Sequence, residues 1–225
     1  MPWTEVTEPY AQPPRAVGPL TAPGDAPMID LEDRWGAIYE AMMEGNVDLR
    51  ACDTVEFRGS VFRGATLVGR PDIEIDATNC SFIDCDLSAI RFAKLTNSVA
   101  TGCKVSGTDF GSGVLRDVLF ERSILRMSVW RMAELDRVAF NECTLEEVDF
   151  YEAQLRQVSF VGSDIRAADF DKARFEHVDL RGVGELDVRS CRDFRGALMS
   201  ADQVTALAFL FAEAAGVSIE RRSTD

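Results

Sequence analysis

Between residues 47 and 198 neither helical nor strand alternation orders the apolar residues, which recur instead every five positions. From Phe110 the series runs through Leu115, Phe120, Leu125, Trp130, Leu135, Phe140, Leu145, Phe150, Leu155, Phe160, Ile165, Phe170 and Phe175 to Leu180, fifteen large apolar residues in succession. Two residues before each stands a compact side chain, from Thr108, Gly113 and Val118 to Ala168, Ala173 and Val178. Two registers in step mark an internal repeat. Shorter stretches in the same phase centre on Phe57, Phe62 and Leu67 and on Phe82, Leu87 and Phe92. Between them Asp72 and Ala77 hold the phase without filling a core, and Pro71 falls there, so residues 68–77 are expected to form a distorted coil or an outward loop. A three-residue slip lies between Phe92 and Val105.

The flanks read differently. Seven of the eight prolines lie between Pro2 and Pro27, which predicts an extended arm over residues 1–29. Asp30 can cap a helix bearing Leu31, Trp35, Ile38 and Met42 at helical spacing, with Gly45 as its stop, so residues 30–45 are expected to form an N-terminal capping helix. The repeats occupy 46–199, and their register breaks at Gly182, Gly184 and Leu186. Ser200 and Gln203 make a capping box ahead of a helix expected over 201–215 and stopped by Gly216, with the tail running on to 225. Val204, Leu207, Phe211 and Ala214 form one stripe of that helix, whereas Phe209 and Leu210 lie off it. A helix apolar on two sides buries two interfaces, which predicts a homodimer through Val204, Leu207 and Phe211 as well as a cap on the last coil.

Pentads such as Cys143-Thr144-Leu145-Glu146-Glu147 and Ala153-Gln154-Leu155-Arg156-Gln157 resemble the pentapeptide-repeat family over roughly two thirds of the chain. The resemblance implies an all-β fold, a right-handed quadrilateral parallel β-helix with 20 residues per square coil and with the compact residue and the Leu or Phe both pointing inward. Residues twenty apart then stack. The columns become Phe110, Trp130, Phe150, Phe170 and Phe120, Phe140, Phe160, Leu180, with aliphatic columns between them. Two rings on one diagonal and two aliphatic groups on the other fill each layer to native density, and Phe175 is the exception in its Leu column.

Composition narrows the function. A net charge of −14, from 24 basic and 38 acidic residues, repels polyanions and disfavours direct nucleic-acid binding. No apolar run is long enough to span a bilayer, and the first 27 residues lack the cationic start and apolar stretch of a signal peptide, so a reducing cytoplasm is expected. Cys80, Cys85, Cys103 and Cys143 occupy compact inward positions, Cys52 and Cys191 fall in less regular repeats, and no C-x-x-C pair exists, so all six read as structural thiols. His177, the single histidine, falls at an outward position beside Glu176 and Asp179, where a solvated side chain is expected. Neither catalytic residues nor metal ligands nor a cofactor are expected.

The acidity is uneven. Residues 142–187 hold 12 acidic and 5 basic residues, whereas 46–141 hold 13 and 12. Within the family the chain resembles the mycobacterial and plasmid-borne quinolone-resistance proteins, and that resemblance implies a dimeric acidic rod that imitates DNA to bind DNA gyrase or topoisomerase. On that reading Glu146, Asp149, Asp164, Asp169, Asp171 and Asp179 face outward as the contact surface. The competing reading is an interaction scaffold with a different protein partner: residues 46–199 net only −6, against the one charge per about 1.7 Å of B-DNA. Charges at Arg116, Asp136, Arg156 and Glu176 alternate along one column and read as a surface ladder. One coil departs from the polar exterior, placing Val114, Leu119, Ile124 and Val129 just before four successive centres, with Met127 and Met132 nearby. This apolar girdle is expected to be covered, with the proline-rich arm as the favoured cover.

Overall fold

The structure is a computed structural model that describes residues 35–218. Within them the chain winds as a parallel β-solenoid. Its strands are β1 (Trp35–Tyr39), β2 (Met42–Asp48), β3 (Thr54–Arg58), β4 (Val61–Val68), β5 (Glu74–Thr78), β6 (Ser81–Ile83), β7 (Phe92–Thr101) and β8 (Val114–Glu121). They continue through β9 (Glu134–Asn141), β10 (Thr144–Glu146), β11 (Gln154–Arg156), β12 (Asp164–Asp169), β13 (Arg174–Glu176), β14 (Val178–Asp179), β15 (Leu186–Ser190) and β16 (Ala197–Leu198). One face runs β1-β3-β5-β7-β8-β9-β11-β13, eight parallel rungs. At about 4.8 Å per rung the rod is about 38 Å long.

Twenty-residue register holds through the centre, as in Leu115↔Leu135↔Leu155↔Phe175. It brings like side chains together in the interior. Trp130 stacks on Phe110 at 4.0 Å and on Phe150 at 5.5 Å, and Phe140 stacks on Phe120 and Phe160 at 5.2 and 4.9 Å. Across the prism the two columns meet edge to face, Phe120 to Trp130 at 5.9 Å and 87°. Such rings are the favourable offset and T-shaped arrangements.

At the corners from Phe110 to Phe175 the residue two after each centre adopts the left-handed conformation. Asn97, Asp117, Arg137, Gln157 and His177 do so in one column, with φ between 47° and 56°. Each costs about 1–2 kcal/mol in isolation. The ladder offsets it, because the corner amides bond to the next coil, as Met127 N to Glu146 O at 2.8 Å and Met132 N to Tyr151 O at 2.9 Å. The compact inward residues close the remaining polar accounts: Thr108 Oγ1 donates to Leu87 O at 2.6 Å and Ser163 Oγ to Phe140 O at 2.9 Å.

Three expectations are corrected or refined. Residues 35–39 and 42–48 are strands, so the N-terminal helix expected over 30–45 does not form where the chain is described; residues 30–34 lie outside the described residues. Ile38 and Met43 are five apart with Gly36 and Ala41 two residues before them, so the pentad phase reaches further upstream than the helical spacing suggested. Both are buried, and they stack in register with Phe57 and Phe62. Residues 74–78 are not an outward loop: β5 pairs in full register with β3. Ala77 is a weak centre, but Ile73 and Ile75 are fully buried beside it, so the missing volume is supplied from the compact position. The slip after Phe92 is a pentad shortened by two, since Phe92 and Leu95 are both inward and the rungs from Asp76↔Lys94 to Arg91↔Asp109 are eighteen apart.

At the other end, β15 meets β12 with register shifts, and β14 pairs β16 through Val178↔Ala197. The helix follows in two pieces, α1 (Ala201–Ala206) and α2 (Ala208–Ala214), broken at Leu207. The capping box forms, with Ser200 Oγ accepting from Gln203 N at 3.3 Å and Ser200 N donating to Gln203 Oε1 at 2.9 Å.

Candidate interaction surfaces

An aspartate just before a centre is placed to bend the chain back on itself. Its carboxylate reaches the amide two residues on, as in Asp109 to Gly111 N, Asp149 to Tyr151 N, Asp169 to Asp171 N and Asp179 to Arg181 N, all at 2.7–3.0 Å. These are Asx turns repeated along the rod. Three of the six carboxylates expected to face a partner are therefore engaged in Asx turns, and a fourth, Asp164, accepts from Glu185 N at 3.1 Å.

Arginines engage most of the rest. Glu146 pairs with Arg126 at 2.8 Å, Asp149 with Arg131 at 3.3 Å, Asp164 with Arg166 at 3.4 Å, Asp171 with Arg192 at 2.9 Å and Asp179 with Arg181 at 2.8 Å. Five of the six thus carry a cation, and Asp171 and Asp179 keep only 14% and 12% of their side-chain exposure. Burial pushes the Asp179 carboxyl up, but its bonds from Arg181 outweigh that and hold it below the ordinary range. Pairing by sequence neighbours and by the next coil was the signal that net charge alone missed: each arginine lies two residues or about twenty from its acid.

Arg116, Asp136, Arg156 and Glu176 fall in register as one column, but Asp136 is buried and not part of a surface ladder. Asp136 Oδ2 accepts from Arg156 and, at 2.7 Å, from Arg137. Arg137 also grips both oxygens of Asp117 at 2.6 and 2.8 Å, and this bidentate bond lowers the Asp117 carboxyl. Glu134, Gln154 and Arg174 stand opposite this column across a shallow groove of about 620 Å³. Further round, the Arg131 guanidinium lies 4.7 Å from the centroid of the Tyr151 ring, and Lys172 Nζ donates to the Tyr151 hydroxyl and, at 3.0 Å, to Glu152 Oε1. That cluster was not legible in the sequence, because its members come from three coils.

The C-terminal cap divides the residues expected at a dimer interface. Leu207 is 7% exposed and packs on the chain's own core, and Phe211 meets Phe194 edge to face at 5.2 Å. Gln203 Nε2 donates to Leu180 O at 2.7 Å, fixing α1 to the last coil. Val204 instead faces out at 46% exposure, together with Phe209 at 70%. The six cysteines are free and buried. Burial pushes the Cys80 thiol up to about 11 and those of Cys143 and Cys191 up to about 12. Among the described residues no group of three or more His, Cys, Asp or Glu is placed to hold a metal, and no helix is long and apolar enough to cross a membrane. His177 occupies an exposed corner with φ 56°.

Residues 75–150 and 133–184 match the family model described as pentapeptide repeat region, and the chain is a pentapeptide-repeat protein. Among solved structures it is similar to a trypsin-treated variant of QnrB1, a plasmid-mediated fluoroquinolone resistance protein, with 17% identity, covering 83% of this chain and 100% of that one at a TM-score of 0.25. It is similar also to Rfr23 of the cyanobacterium Cyanothece 51142, with 16% identity over 48% of this chain and 64% of that one, at a TM-score of 0.28. HetL of Nostoc sp. strain PCC 7120, a protein involved in heterocyst differentiation regulation, matches with 16% identity over 72% and 89% of the two chains, at a TM-score of 0.24. No curated protein matches the chain in sequence.

Proposed function

We propose that this protein is a non-catalytic binding rod, a dimer joined through its C-terminal cap that presents ladder faces to protein partners. The observation that carries this reading is the pairing of the acidic face. Glu146, Asp149, Asp164, Asp171 and Asp179 each hold an arginine. A carboxylate already bound to a guanidinium supplies little of the field that attracts a DNA-binding protein. A DNA duplex as long as this rod carries about 22 negative charges, whereas residues 46–199 net −6.

The second reading is charge imitation of DNA toward gyrase or topoisomerase, protecting against a topoisomerase poison. It is favoured by the concentration of charge in residues 142–187, which net −7 next to the cap. A gyrase supercoiling assay with the purified protein, with and without a fluoroquinolone, separates the two. The dimer is proposed through Val204 and Phe209, the apolar groups that α1 and α2 leave uncovered. A cytoplasmic location is proposed on the ground of six free thiols.

A further inference from the structure

One coil of the rod is apolar on its outside. Val114, Leu119 and Val129 are half-buried, while Ile124 is 46%, Met127 57% and Met132 52% exposed. Met127 and Met132 sit at left-handed corners with φ 53° and 57°, so their side chains project from the edges of the prism. On three faces the feature is confined, since the rungs on either side pair Val114 with Lys94 and Glu134, Ile124 with Lys104 and Thr144, and Val129 with Asp109 and Asp149, whereas Leu119 lies between Val99 and Ala139. One coil before Met127 stands Gly107, where an added Cβ would meet nothing within 4 Å, so the methionine borders open space. The arginines of this coil do not offset its apolar character, since Arg122, Arg126 and Arg131 already pair with Glu121, Glu146 and Asp149.

Reach selects an occupant. Residues 1–34 lie outside the described residues, and their sequence holds the aromatic residues Trp3 and Tyr10. The chain joins the described fold at Trp35, on the face that carries Val114, through the rungs Trp35↔Thr54, Thr54↔Glu74 and Lys94↔Val114. Four rungs separate the two, about 19 Å, whereas 34 residues span up to about 100 Å. Being tethered, this segment meets the belt at a high effective concentration that a separate partner lacks.

We propose that the belt over residues 114–132 is an intramolecular docking surface for the chain's own residues 1–34, through apolar contact of Trp3 and Tyr10 with Ile124, Met127 and Met132. The test places p-benzoylphenylalanine at Met127 and, in a second full-length protein, at Met132, each checked for native β content by circular dichroism. Irradiation of mixed ¹⁵N-labelled and unlabelled protein is followed by mass spectrometry of the cross-linked peptides. The expected result is adducts joining the belt to residues 1–34 within one copy, reduced severalfold by Trp3→Ser with Tyr10→Ser and not reduced at 1 M salt, since screening leaves apolar contact intact. Adducts between copies, or none to residues 1–34 from either probe, overturn the proposal.

Discussion

Trp130 Nε1 donates to Ser128 Oγ at 2.8 Å inside a prism where both residues are fully buried. Ser128 Oγ in turn donates to Leu125 O at 3.1 Å. The indole therefore fills an aromatic column without leaving its N–H unpaired, which is the condition for a tryptophan among phenylalanines.

Ser128→Ala removes that acceptor and is expected to destabilise the rod by about 1–3 kcal/mol. Trp130→Phe removes the donor as well, so the double variant is expected to lose less than the sum of the two single ones. Denaturant unfolding of the four proteins checks it; strict additivity would show that the bond contributes nothing.

Stability is expected to fall at both ends of the pH scale. Side-chain bonds from Arg137 hold Asp117 below its ordinary range, and bonds from Arg181 do the same for Asp179 against its burial. Their contribution is present above about pH 4, the unfolded value, and is lost as pH falls through the folded one. For Cys80, Cys143 and Cys191, raised by burial to about 11, 12 and 12, the sign reverses. Their contribution is complete below about pH 8.5 and is lost as pH rises toward the folded values. Cys143→Ser is tolerated sterically, since Ser123 and Ser163 occupy the same column, and it should flatten the alkaline limb of the melting curve. An unchanged limb contradicts the assignment.

Gly196→Ala tests the cap. At φ 90° an added Cβ would lie 2.0 Å from Phe175 O, so the backbone pairing of β16 must shift. The expected loss is at least about 1 kcal/mol, with faster hydrogen exchange in residues 197–207. Protection equal to that of the parent protein would refute it.

The cap also decides which variant can report on dimerisation. Leu207 and Phe211 pack on the chain's own core, so charging them unfolds the cap and says nothing about a partner. Val204→Asp with Phe209→Asp alters exposed groups only and should give a monomer by sedimentation with a melting temperature within a few degrees of the parent. A parent protein that sediments as a monomer contradicts the proposed dimer.

The pentad phase made the repeat legible, and the resemblance to the pentapeptide-repeat family supplied the twenty-residue coil from which the aromatic columns followed. Ile38 was misread because it also stands three residues after Trp35 and four before Met42, the helical spacing, which points to Met42 as the inward residue in place of Met43. Ala77 escaped because its volume came from Ile75, in the position read only for compactness. The surface was harder to read. That Asp149, Asp169 and Asp179 face outward was plain, yet their backbone bonds and the arginines on Asp149 and Asp179 depend on turn geometry and on neighbours one coil away. Summed charge carries neither.

The most direct measurement is a gyrase supercoiling titration with the parent protein and with Glu146→Gln, Asp149→Asn, Asp164→Asn and Asp179→Asn combined. The arginine-paired face predicts that supercoiling proceeds at the same rate with either protein, in the presence or absence of a fluoroquinolone. Inhibition by the parent protein that the neutralised variant loses, with its fold intact, would contradict the account and establish charge imitation of DNA.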